Sequence, residues 1–125
     1  LGMAISEFGR EQPLWGICAG SILLAQEVVH PAQASLGLIK IRAQRNHYGS
    51  QLDSFKATVT VEPLQAEIDV DFIRAPLLEP LSEKVQIHAR YHDAAVLLQQ
   101  GRILASSFHV ERGSDTRLHQ YFLGL

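Results

Sequence analysis

Apolar and polar positions alternate along the chain in short blocks, most of them with the character of strands. Leu14-Trp15-Gly16-Ile17, after Pro13, is a continuous apolar run of the kind that a parallel sheet buries. It breaks at Cys18-Ala19-Gly20. From Ser21 to Val29 apolar residues recur at 22, 23, 25, 28 and 29, which predicts a helix that stops before His30-Pro31. A strand, a sharp corner at Cys18 and a helix form the first unit expected. Upstream, Ile5 to Phe8 reads as a helix tail closed by Gly9.

The middle is rich in strand signals. Leu36 to Ile41 and Ile68 to Ile73 fit, and Ala57-Thr58-Val59-Thr60-Val61 alternates and is β-branched. Val85 to Ala89 and Ala94 to Leu98 follow, and Gln100-Gly101 makes a turn into Arg102-Ile103-Leu104-Ala105. A final helix is expected from Ser114 to Leu123, capped by Ser114 or Asp115, with Leu118, Tyr121 and Phe122 as its apolar face. No repeat, low-complexity stretch or linker interrupts the 125 residues, so residues 1–125 are expected to form one domain. The order β, α, several β, α points to a mixed α/β sheet.

Composition narrows the function. The chain is 46% hydrophobic and 19% charged, with a net charge of -2 and no Lys/Arg block, a balance unsuited to gripping a phosphate backbone. The longest apolar stretch is too short for a bilayer, so no membrane association is expected. The single cysteine permits no internal disulfide and fits a reducing, cytoplasmic setting. No histidine pairs with a thiol or carboxylate at metal-ligand spacing, so neither a metal nor another cofactor is expected.

The chemistry gathers at two places. In Gly16-Ile17-Cys18-Ala19-Gly20 a thiol sits at a tight strand-to-helix turn, where small neighbours admit substrate and backbone. The following helix end would lower the thiol toward thiolate, and the Ala19 amide could donate to an oxyanion. Ser106-Ser107-Phe108-His109-Val110-Glu111 follows the strand at Ile103, placing His109 at a strand's carboxyl end. A thiol nucleophile needs a base to take its proton, and the base needs an acceptor to fix its ring. In an extended segment Glu111 would point the same way as His109 and fill that role.

Together these segments resemble the glutaminase subunit of pyridoxal 5′-phosphate synthase, a triad (class I) glutamine amidotransferase. Beside Pro13 to Gly20 and Ile22 to Ala25, the resemblance is carried by Gln44-Arg45-Asn46-His47-Tyr48-Gly49, Gln51 to Phe55 and Phe72-Ile73-Arg74-Ala75-Pro76. Leu104 to His109 and Asp115 to His119 complete it, in the family's order and spacing. The resemblance implies a flavodoxin-like α/β fold and hydrolysis of L-glutamine to glutamate and ammonia. It makes Cys18 the nucleophile, with His109 and Glu111 completing the triad, and places glutamine against Arg45, Ile73 and Arg74. An arginine can grip the substrate's carboxylate through two parallel hydrogen bonds. Ammonia would pass to the partner synthase subunit, a (β/α)8 barrel, whose docking generally activates the glutaminase.

Three features depart from the family pattern. The chain opens on Leu1, and the family's first sheet strand and its Gly-Gly-Glu-Ser-type loop are missing from it, as expected of a fragment or truncated product holding the C-terminal two-thirds of the family domain. Val110 stands where the family has proline, and Ser50 where it has arginine. Two alternatives follow: a catalytically inactive truncated paralogue that binds or regulates the synthase, and an amidotransferase of another pathway, against which the Arg45 and Arg74 segments argue.

Overall fold

A computed structural model describes residues 13–29, 34–44, 54–73, 75–110 and 116–125. The expected strand β1 spans Leu14–Ile17, and helix α1 follows at Ala19–Leu24. The helix is shorter than its periodicity predicts, because Ala25–Val29 forms strand β2 instead. The cause is tertiary. The carbonyls of Leu23, Leu24 and Ala25 accept hydrogen bonds from the amides of Leu36, Leu38 and Gly37, so the chain has partners outside a continuing helix. Ala25 then turns extended, and Val28 and Val29 suit a strand.

Strand β3 spans Ile39–Gln44, starting later than the apolar run from Leu36 suggests, and β4 and β5 span Ser54–Val61 and Ala66–Ile73. A 3-10 turn, Glu62–Leu64, joins the last two and ends at Gln65 with φ 48°. Strand β6, Leu77–Pro80, has too few residues to show a pattern in sequence. Strands β7 (Gln86–Tyr91), β8 (Ala94–Gln100) and β9 (Ile103–Ser106) lie close to their expected places. His92 and Asp93, both at positive φ, make the two-residue turn between β7 and β8. Strand β10 is the pair His109–Val110, and helix α2 covers Arg117–Leu123 behind Thr116. The expected caps Ser114 and Asp115 lie outside the described residues, as does the helix tail ending at Gly9.

Among the described residues the strands form three sheets, in the orders β1-β9-β8-β7, β10-β5-β4 and β2-β3-β6. Parallel and antiparallel pairs mix: β1 runs parallel to β9, while β7, β8 and β9 are antiparallel neighbours. The first sheet is buried on both faces. Ile103 and Ala105 of β9 join a core with Leu24, Ile39, Ile41 and Leu98. Leu104, between them, faces a second core with Val70, Phe72, Leu97 and Leu118. That second core covers one face of the β4–β5 hairpin, leaving Lys56, Thr58, Glu67 and Asp69 exposed on the other. No described helix is long and apolar enough to cross a membrane.

Candidate functional site

Strands β1 and β9 run parallel with Ile17 beside Ser106, so the residues that follow them emerge at one sheet end. Cys18 follows the first and His109 the second, at the carboxyl ends where open α/β sheets build sites. The Cys18 amide donates to the Ser106 carbonyl at 2.7 Å, binding the two segments directly. The Ser106 hydroxyl accepts from the Trp15 indole at 3.0 Å and donates to the Phe108 carbonyl at 3.1 Å. It thereby fixes the chain immediately before His109.

Cys18 has φ 52° and ψ -105°, a strained backbone for a residue with a side chain. The corner is over-determined. Its carbonyl accepts from the Ser21 and Ile22 amides at 3.0 and 3.3 Å and from the Ser21 hydroxyl at 2.5 Å. Gly16 is required by space: a Cβ there would stand 2.6 Å from the Gly20 carbonyl oxygen and 2.7 Å from Leu24 Cδ1. A Cβ at Gly20 would meet nothing within 4 Å.

The half-buried thiol donates to the Ile73 carbonyl at 3.4 Å, joining two candidate residues 55 apart in sequence. Burial pushes the Cys18 thiol above its ordinary range, opposed by a hydrogen bond from the Ala19 amide. This corrects the expectation of a lowered thiol. Helix α1 has only six residues and a small dipole, and desolvation outweighs the one amide. Ala19 nonetheless presents its N–H to the sulfur, where an oxyanion donor is wanted.

His109 is half-buried in β10, opposite Asp71 of β5. Ile73 lies two residues beyond Asp71, making it the diagonal neighbour of His109 across that pair. The end of β5 is therefore common ground between the thiol and the imidazole. Among the described residues no hydrogen bond joins Cys18 to His109; the thiol's goes to Ile73. Glu111, Arg45 and Arg74 lie outside the described residues. Two relationships were invisible in sequence: alternation does not distinguish Asp71 from Asp69, and nothing in the spacing links Ile73 to Cys18. Among the described residues, no group of three or more His, Cys, Asp or Glu side chains could hold a metal ion.

Of the remaining histidines, His88 is buried with Nε2 2.7 Å from Gln99 Oε1, an oxygen that also accepts from the Tyr121 hydroxyl. His119 lies against Trp15, with ring centroids 5.1 Å apart. Both have structural partners.

The chain is similar to known proteins along nearly all its length. It is 46% identical over 113 residues to the pyridoxal 5′-phosphate synthase subunit PdxT of Thermosipho africanus, covering 90% of this chain and 60% of that protein. The protein of the same name from Solibacter usitatus is 42% identical over 125 residues, covering 95% and 65%. The chain thus spans about three-fifths of the length of these curated relatives. A crystal structure of a glutamine amidotransferase matches with a TM-score of 0.89 at 42% identity, over 98% of this chain and 66% of that one. The expected flavodoxin-like α/β fold is thereby established. Residues 4–124 match the family model itself, and this chain belongs to the SNO glutamine amidotransferase family.

Proposed function

We propose that this chain carries the catalytic residues of a glutaminase that hydrolyses L-glutamine to L-glutamate and ammonia for pyridoxal 5′-phosphate synthesis. The observation that carries the reading is the strained corner at Cys18, whose thiol meets Ile73 at the sheet end where His109 also emerges. The names of the relatives supply the pathway.

In the proposed reaction His109 takes the Cys18 proton as the sulfur attacks the side-chain amide carbon of glutamine. The Ala19 amide receives the negative charge that develops on the carbonyl oxygen. The tetrahedral intermediate collapses, the C–N bond breaks, and His109 returns the proton to the departing ammonia. Water, deprotonated by the same imidazole, then attacks the thioester, releasing glutamate and restoring the thiol. Glu111 steadies the imidazolium through both steps. Arg45 and Arg74 hold the charged end of the substrate, with Ile73 beside its reacting end.

Burial of the thiol supports a resting state that is protonated and slow, with the base doing its work only when substrate is seated. A partner-activated enzyme fits that state. Ammonia passes to the synthase subunit, a (β/α)8 barrel, in the cytoplasm. The testing experiment is ammonia release from glutamine by the full-length protein with and without that synthase, in the parent protein and in Cys18→Ala and His109→Ala. Activity with partner, lost in both variants, supports the reading; activity surviving in either variant removes that residue from its role. Absence of activity in the parent protein, with synthase binding intact, favours the non-catalytic regulator.

A further inference from the structure

Strand β5 is the middle strand of its sheet, and at Asp71 it forms a row across all three strands. His109 of β10 stands opposite on one side and Lys56 of β4 on the other. Residues directly opposite in an antiparallel pair project from the same face, with Cβ atoms about 4.5–5.5 Å apart. Burial identifies that face. Val70 and Phe72 lie in the core and Val110 packs against the same core, so Asp71 and His109 project from the outer side.

We propose that Asp71 is a positioning residue, a carboxylate placed across the strand pair that holds the His109 imidazole toward the Cys18 thiol. The inference rests on the glutaminase reading, which makes His109 the base. Three further observations support it. Lys56 Nζ lies 3.9 Å from Asp71 Oδ1 with its own side chain 74% exposed, a loose ion pair that yields readily to an imidazole on the other side of the row. The Asp71 side chain is 27% exposed, so the carboxylate is partly shielded from solvent. Two residues along, about 7 Å at the rise of a strand, Ile73 accepts the thiol's hydrogen bond. The other described charges near His109 are Asp69, diagonal to it on β5, and Lys56, beyond Asp71 on β4. Asp69 is occupied by the Thr58 hydroxyl at 2.8 Å. Asp71 would act from across the sheet while Glu111 acts from along the chain, so the ring would be steadied from two directions.

The test uses the full-length protein with its synthase. Asp71→Asn, nearly isosteric, is expected to lower kcat about tenfold with the KM for glutamine within about twofold, as for loss of a carboxylate that orients a working histidine. Asp71→Glu should recover most of the loss. Asp69→Asn removes the same charge from the same face and should leave kcat within about twofold. The 15N resonances of the His109 ring should shift in Asp71→Asn and stay in place in Asp69→Asn. Unchanged kcat in Asp71→Asn, an equal loss in Asp69→Asn, or a His109 ring signal blind to Asp71 would each overturn the proposal. If the parent protein is active and Asp71→Asn matches it, only this inference falls. If the parent protein releases no ammonia with its synthase, the glutaminase reading falls and takes this one with it.

Discussion

The Cys18 sulfur and the Ile73 carbonyl meet at 3.4 Å, so the corner after β1 and the end of β5 share a hydrogen bond. Replacing Cys18 with alanine removes that bond and the nucleophile but leaves φ at 52°. Ammonia release should fall to background, a loss of roughly four orders of magnitude or more, while binding of the synthase persists. Glycine at the same position separates strain from chemistry. Cys18→Gly should be as inactive as Cys18→Ala yet more stable by about 1 kcal/mol, since glycine relieves the backbone. Equal melting temperatures for the two variants would mean that the corner stores no strain.

The raised thiol gives a prediction with a definite sign. Burial favours the neutral form, so at neutral pH the folded chain holds less thiolate than an exposed cysteine does. Without partner, a small alkylating reagent should modify Cys18 more slowly in the folded protein than in the denatured one. The two rates should converge as pH rises through the folded thiol's range. A glutamine-like alkylating reagent with the synthase present should reverse the order. Faster labelling of the free folded protein at neutral pH would contradict the burial argument.

The corner was legible because its requirements are local. A continuous apolar strand, small residues about a thiol and a return to apolar spacing leave little choice at Leu14 to Leu24. The helix beyond ends sooner than its spacing predicts, because Ala25, Val28 and Val29 fit helical spacing and strand composition equally well. Amides from Leu36, Gly37 and Leu38 decided between them, and those contacts have no signature in the pattern. Strand β6 was missed for a related reason: four residues ending in Pro80 acquire strand form by pairing with β3. The site divides similarly. Cys18 and His109 announced themselves by residue type and context, whereas Ile73 came only from family resemblance and Asp71 only from strand register.

The glycines around the thiol should behave oppositely. A methyl group at Gly16 would press on the Gly20 backbone at 2.6 Å, and backbone gives way less easily than a side-chain tip. Gly16→Ala should therefore cost about 2 kcal/mol or more in chemical denaturation. Gly20→Ala places its methyl in open space on α1 and should be neutral or gain up to about 1 kcal/mol from helix propensity. A loss of activity in Gly20→Ala at unchanged stability would mark that open space as belonging to the substrate.

Ser106 offers the last test, because one buried residue serves both halves of the site. Its hydroxyl takes the Trp15 indole proton and gives its own to the Phe108 carbonyl, while its backbone carbonyl holds the Cys18 amide. Ser106→Ala keeps the backbone bond and removes the other two, leaving an indole N–H and a carbonyl without this partner. An unsatisfied buried group costs about 1–3 kcal/mol, so a stability loss of about 2 kcal/mol is expected, read as a lowered melting temperature. Trp15 is the chain's sole tryptophan, so its emission reports the change directly. Phe108 immediately precedes His109, and loosening it should lower kcat more than it raises the KM for glutamine. Threonine, which restores a hydroxyl, should recover part of both losses. If Ser106→Ala matches the parent protein in stability and emission, the hydroxyl is dispensable and His109 is placed by β10 pairing alone.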